Sequence, residues 1–205
     1  TLNYSMKEYL NEKLHNGRVT SRVLLARARL MEVRDWETPT MNDPKYFPFF
    51  YYLGTQIKPK KVFEIGFGLG LSAAALAQGC ETIEQYVGFQ INTKDYYYST
   101  RLGVATLKEY YTGGIKVDVG NIERMEELIG SDIWDLGLIT QKVEDKFMRR
   151  HLDKIWRNLS SEALIVVDHL QDAERMEIFQ DWCKSISKEA DIYHTRNTLG
   201  IVQKG

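Results

Sequence analysis

Cysteine is scarce in this 205-residue chain, which has only Cys80 and Cys183. Two thiols so far apart build no disulfide framework, and their spacing matches no metal motif. Proline is sparse and clustered: Pro39, Pro44, Pro48 and Pro59 mark one loop-rich stretch. Neither sign of charge is in surplus, with 27 Lys plus Arg against 28 Asp plus Glu. No global field therefore draws the chain to nucleic acid or to a membrane surface. No apolar run approaches bilayer-spanning length, and no secretory leader is visible. G-x-x-x-x-G-K-[ST] is missing, which excludes a P-loop. Internal repeats and low-complexity tracts are missing too. These absences predict one domain with a sizeable core in a reducing, cytoplasmic setting.

The informative stretch is Lys61-Val62-Phe63-Glu64-Ile65-Gly66-Phe67-Gly68-Leu69-Gly70-Leu71-Ser72. A short apolar run ends in a glycine-rich turn, and a small-residue helical segment follows, Leu71 to Gln78. This pattern predicts strand, tight loop, helix. Glycines let the backbone approach a ligand, and the helix start offers free N–H groups. A dinucleotide fingerprint needs G-x-G-x-x-G or A. Position 71 is Leu, so a nicotinamide or flavin site fits poorly.

Upstream, Ser5-x-x-Glu8 predicts a capped helix broken at Asn16-Gly17, and a second helix covers about Thr20 to Arg34. A short helix from Pro48 to Ile57 carries an aromatic cluster. Downstream, strands are expected at 85–90, 116–119, 134–140 and 163–168. Helices are expected at 93–110, 122–128, 146–159 and 172–188, and a hairpin at 191–195 and 199–203. This alternation predicts a Rossmann-like α/β fold of seven strands: a mostly parallel sheet with helices on both faces, an antiparallel terminal hairpin and an N-terminal helical extension. Residues 1–57 read as a helical and aromatic cap region, and 58–205 as the α/β domain. A ligand belongs beyond the carboxyl ends of the strands, near the first βα turn.

The run Glu64-x-Gly66-x-Gly68-x-Gly70 resembles the first motif of class I S-adenosylmethionine (SAM) methyltransferases. Trp134-Asp135-Leu136-Gly137-Leu138-Ile139 resembles the fourth strand of that superfamily, and Leu164-Ile165-Val166-Val167-Asp168-His169 its fifth. Thr198-Leu199-Gly200-Ile201-Val202 is similar to the closing strand of the small-molecule O-methyltransferases, the sugar, antibiotic and catechol-type branch. The resemblance implies a SAM site with Glu64, Gly66, Phe67, Gly68, Gly70 and Ser72 near the methionine end. It places Gln90 and Asn121 toward the adenosine, and counts Ile122 and Thr140 among the cofactor-binding residues. Family members usually carry an acid where this chain has Gln90 and often one where it has Asn121, and metal-dependent members carry a metal-ligating Asp where it has Thr140. A hard divalent cation fits Thr140, Asp168 and His169 poorly, so no metal is expected.

His169, with Asp168, is the candidate general base, since imidazole titrates near neutrality. The same histidine also reads as a structural residue bonded to Asp168 or to backbone. His15, His151 and His194 read as surface or satisfied core residues, and Lys142 as a solvated cation. Two functions follow. One is SAM-dependent, metal-independent O-methylation of a small molecule. The other, motivated by the missing acids, is a catalytically silent methyltransferase-like binding or assembly module. Neither nucleic acid nor a membrane is an expected partner, and the N-terminal helices are a candidate homodimer face.

Overall fold

The computed structural model describes residues 4–16, 46–91, 96–194 and 197–205. The elements run α1 (Tyr4–Asn16), α2 (Tyr46–Ile57), β1 (Lys61–Ile65), α3 (Leu71–Gln78), β2 (Gln85–Ile91), α4 (Tyr96–Lys108) and β3 (Gly114–Gly120). They continue α5 (Ile122–Ile129), β4 (Trp134–Ile139), α6 (Asp145–Arg157), β5 (Leu159–Val167), α7 (Ala173–Ser185), β6 (Asp191–Tyr193) and β7 (Leu199–Gln203). The expected second helix, the expected start of the 93–110 helix and the tip of the last hairpin fall outside the described residues.

The seven strands order as β3-β2-β1-β4-β5-β7-β6. β1 pairs in parallel with β2 and β4, and β3 and β5 extend that parallel set. β7 inserts antiparallel between β5 and β6. The chain therefore reverses its direction of travel across the sheet at β1, which places a crevice at the carboxyl end of β1.

Alternation along the strands separates two cores. Val62, Tyr86, Leu136, Leu138, Leu164 and Val166 face α1, α2, α3 and α4. Phe63, Ile65, Val87, Phe89, Ile165 and Val167 face α5, α6 and α7. Helix α6 shows the driving force: Met148, Leu152 and Ile155 sit on its buried stripe. Each is worth roughly 1.5–3 kcal/mol of apolar burial. Of the α2 aromatics, Tyr46, Phe47, Phe49 and Phe50 are buried in the core, and Tyr51 and Tyr52 are half-buried.

Most boundaries shift by one to three residues from the sequence reading, and three of the differences are informative. The first helix starts at Tyr4, so Ser5 lies inside it and not at its cap. Leu159 opens β5 and does not close α6. β5 starts early because Leu159 already pairs with Trp134; the register then shifts across the polar segment, where Glu162 is left-handed (φ 67°), before Leu164 pairs with Leu136. Polar residues on a strand that emerges from the core carry no hydrophobic alternation to detect.

Candidate active site

The turn after β1 is built from glycines in left-handed conformations: Gly66 (φ 104°), Gly68 (φ 49°) and Gly70 (φ 65°). At Gly66 a side chain is also excluded by space, since a Cβ would lie 2.5 Å from the Gln141 backbone nitrogen. Gly66 N–H donates to Phe89 O at 2.7 Å and Gly70 N–H to Phe67 O at 2.8 Å. Helix α3 then starts at once, helped by its alanines.

Glu64 sits under this turn, wholly buried. Its Oε1 accepts from Ser72 Oγ at 2.6 Å and from Thr140 Oγ1 at 2.9 Å, and its Oε2 from the Tyr86 hydroxyl at 2.5 Å. Thr140 Oγ1 also lies 3.0 Å from Gly66 O, so one hydroxyl ties the carboxylate to the turn. Burial pushes the carboxyl pKa up, and the three donors only partly oppose it. No basic side chain among the described residues pairs with it. Glu64 is thus a buried acid supplied with hydrogen bonds but short of a counter-charge.

Tyr86 was not foreseen in this role. It lies on β2 two residues before Gly88, which pairs with Glu64 in the register. Gly88 has no side chain to stand between Tyr86 and the end of the strand. The Phe67 ring fills that gap: a Cβ on Gly88 would lie 2.6 Å from Phe67 Cδ2. The Phe67 and Tyr86 rings then pack at 6.1 Å. A glycine inside a strand signals such close approach, and that was the available clue.

The three residues standing where the resemblance led to acids are all engaged by the chain. Gln90 Oε1 accepts from Gly68 N–H at 2.9 Å, and Gln90 Nε2 is buried with no hydrogen-bond partner. Because Gly68 offers a donor, the amide oxygen must face it, and the NH2 points elsewhere. Asn121 caps α5, its Oδ1 accepting from Arg124 N–H at 3.1 Å, and Ile122 behind it is buried in the opposite core. Thr140 belongs to the Glu64 cage.

Asp168 is fully buried at the end of β5. His169 follows it in a left-handed conformation (φ 64°), with Nε2 3.6 Å from Asp168 Oδ2. Burial, then the Arg175 guanidinium, pulls the imidazole pKa down to about 4, against a hydrogen bond with the Thr140 backbone; Lys142 adds a smaller downward push. At neutral pH His169 is therefore uncharged, and its contact with Asp168 is not an ion pair. Lys142 and His194 are exposed, as expected. His151 departs from expectation: it is buried, yet its Nδ1 has no hydrogen-bond partner. Arg175 is the second functional candidate that sequence reasoning missed. A lone arginine in a polar helical stretch carries no signal of burial.

No family model matches the chain, and no curated protein matches it in sequence. Solved structures do match over its whole length. A methyltransferase of Podospora anserina with S-adenosylhomocysteine (SAH) bound superposes with a TM-score of 0.72 at 15% identity, covering 100% of this chain and 97% of that one. An O-methyltransferase of Streptomyces achromogenes involved in tomaymycin synthesis, in complex with SAM, gives 0.70 at 12% identity, covering 98% and 96%. A Bacillus cereus O-methyltransferase in complex with SAH gives 0.68 at 13% identity, covering 98% and 97%. At such identities the likeness establishes the fold, which is that of the class I methyltransferases.

Proposed function

We propose that the protein is a SAM-dependent methyltransferase directed at an oxygen of a small molecule. The observation that carries this reading is Glu64: a buried carboxylate at the switch point of the sheet, roofed by a glycine turn and lacking a counter-charge. Keeping an uncompensated charge buried is costly, and a cationic ligand beside it offsets that cost. The site fits SAM in two respects. Glu64 answers its positive charge, and Gln90 Nε2, a buried donor without an acceptor, answers a ribose oxygen. Gly66, Phe67, Gly68, Gly70 and Ser72 would hold the methionine end. Gln90 and Asn121, with Ile122 next to Asn121, would lie toward the adenosine, and Thr140 would stay with Glu64.

When bound, SAM supplies an electrophilic methyl on a sulfonium. The residues here supply alignment, since in-line transfer needs the acceptor oxygen about 3–3.5 Å from that methyl. A neutral His169, with Asp168 beside it, takes the acceptor proton on its imidazole nitrogen. The donor set offers a divalent cation little, so the reaction is written without one. Residues 1–57 serve as the cap region; α1 packs on α2 and α2 on α3. The N-terminal helices are the candidate homodimer face. No helix among the described residues is long and apolar enough to cross a membrane, and two buried free thiols suit a reducing cytoplasm. Calorimetric titration with SAM and SAH is the test. Binding in the micromolar range is expected, and no binding of either at millimolar concentration overturns the reading.

A second reading, a silent binding or assembly module, is favoured by the internal use of Gln90, Asn121 and Thr140. Q90E separates the two. Glutamate keeps the acceptor for Gly68 N–H and turns the orphaned donor into an acceptor for ribose hydroxyls. We expect SAH affinity to rise about tenfold in Q90E, roughly one charge-assisted hydrogen bond. Turnover of a hydroxylated acceptor by the unmutated protein eliminates the silent module.

A further inference from the structure

Arg175 lies in the first turn of α7 with its side chain fully buried. Its Nε donates to His169 O at 2.9 Å. Its Nη1 donates to Val143 O at 2.5 Å and to Asp145 Oδ1 at 2.7 Å. One guanidinium thus holds three segments: the loop after β5, the loop after β4 and the start of α6. The planar fork does this with a geometry that a lysine ammonium cannot copy. The backbone it grips at His169 is left-handed, a conformation that a non-glycine residue keeps only when its surroundings impose it.

We propose that Arg175 is the positioning residue of this site, a brace that locks the post-β4 and post-β5 loops together and fixes how His169 is presented. The inference rests on the methyltransferase reading only in giving His169 a proton to accept.

Two consequences join in one side chain. Geometrically, the Nε bond to His169 O sets the peptide from which the imidazole projects. Electrostatically, the same cation disfavours a second positive charge on that imidazole. The charged and titratable groups facing His169 are Asp168 from its own loop, Arg175 from α7 and Lys142 from the post-β4 loop; the Thr140 backbone completes its surroundings. Burial and the two cations keep the ring uncharged at neutral pH and lower its basicity, so a proton taken from an acceptor is held only briefly; the Asp168 carboxylate, 3.6 Å away, is the group placed to oppose them. Asp145 Oδ1 takes up part of the Arg175 charge from the far side. Arg175 Nη2 is buried without a hydrogen-bond partner. Such a cost is borne more readily at a functional site than in plain packing.

The test is an NMR titration of the histidine imidazoles in the full chain, with His169 assigned by H169Q. In R175M, His169 is expected to titrate at least one pH unit higher than in the unmutated protein, while exposed His194 stays where it was. Titration of His169 within 0.3 units of its original midpoint, in a folded R175M, overturns the proposal. Should R175M not fold, R175Q carries the same reading. R175K keeps the charge and loses the fork. It is expected to leave the midpoint low while amide exchange at residues 143 and 168–170 accelerates at least tenfold; unchanged exchange there overturns the brace. SAH titration of the unmutated protein runs alongside. Failure to bind SAH strikes the methyltransferase reading, whereas a fixed His169 midpoint strikes Arg175, so the two failures are told apart.

Discussion

Glu64 is held by a serine, a threonine and a tyrosine drawn from α3, the end of β4 and β2. All three are neutral donors, and burial still outweighs them. The sign of a charge-removing substitution follows. A glutamine of the same shape sheds the desolvation cost, and hydroxyls can turn to accept from its new NH2. E64Q is therefore expected to match or exceed the unmutated protein in stability, by up to about 1 kcal/mol, while binding SAM at least tenfold more weakly. Thermal melts and calorimetry on the same samples decide. A destabilised E64Q with SAM affinity intact would confine Glu64 to a structural role.

At the scale of elements, β2 is the strand whose details matter most. Gly88 pairs with Glu64 in the register and receives the Phe67 ring, so its missing side chain shapes the turn above. G88A pushes a methyl to 2.6 Å from Phe67 Cδ2. Overpacking of this kind costs roughly 1–3 kcal/mol. Urea unfolding should show that loss, and SAH affinity should fall with it because Phe67 belongs to the glycine turn. Unaltered SAH binding in G88A would separate Phe67 from the site. The same strand shows what a sequence discloses. The order of elements was legible because apolar runs alternate with amphipathic or alanine-rich stretches, and Glu64 through Gly70 was legible because glycine spacing has a geometric cause. Tyr86 and Arg175 were not. Each acts across a separation of many residues, Tyr86 on Glu64 and Arg175 on Val143, and only the folded register brings such pairs together. Asn121 was read for its chemistry toward a ligand, and its cap on α5 competes for the same oxygen.

At the scale of the whole molecule, two histidines among the described residues, His151 and His169, are buried uncharged. Burial pulls His151 down to about 4, as it does His169. The folded values lie below the unfolded value near 6.5, so the folded state binds fewer protons through this interval. Stability is fully present above pH 6.5 and drains away as pH falls toward 4. For His151 the shift corresponds to about 3 kcal/mol at the acid end. H151L lacks this term. Denaturant midpoints at pH 7.5 and 4.5 should therefore drop less for H151L than for the unmutated protein. Equal drops would mean that His151 finds a proton partner in the fold.

One short segment belongs to both sides of the sheet. Thr140 reaches Glu64 on one side, and Val143 and Asp145 are gripped by Arg175 on the other. A strip held at both ends can carry a displacement from one to the other, so a ligand bound beside Glu64 is expected to shift the His169 imidazole signal in an NMR spectrum without any hinge between domains.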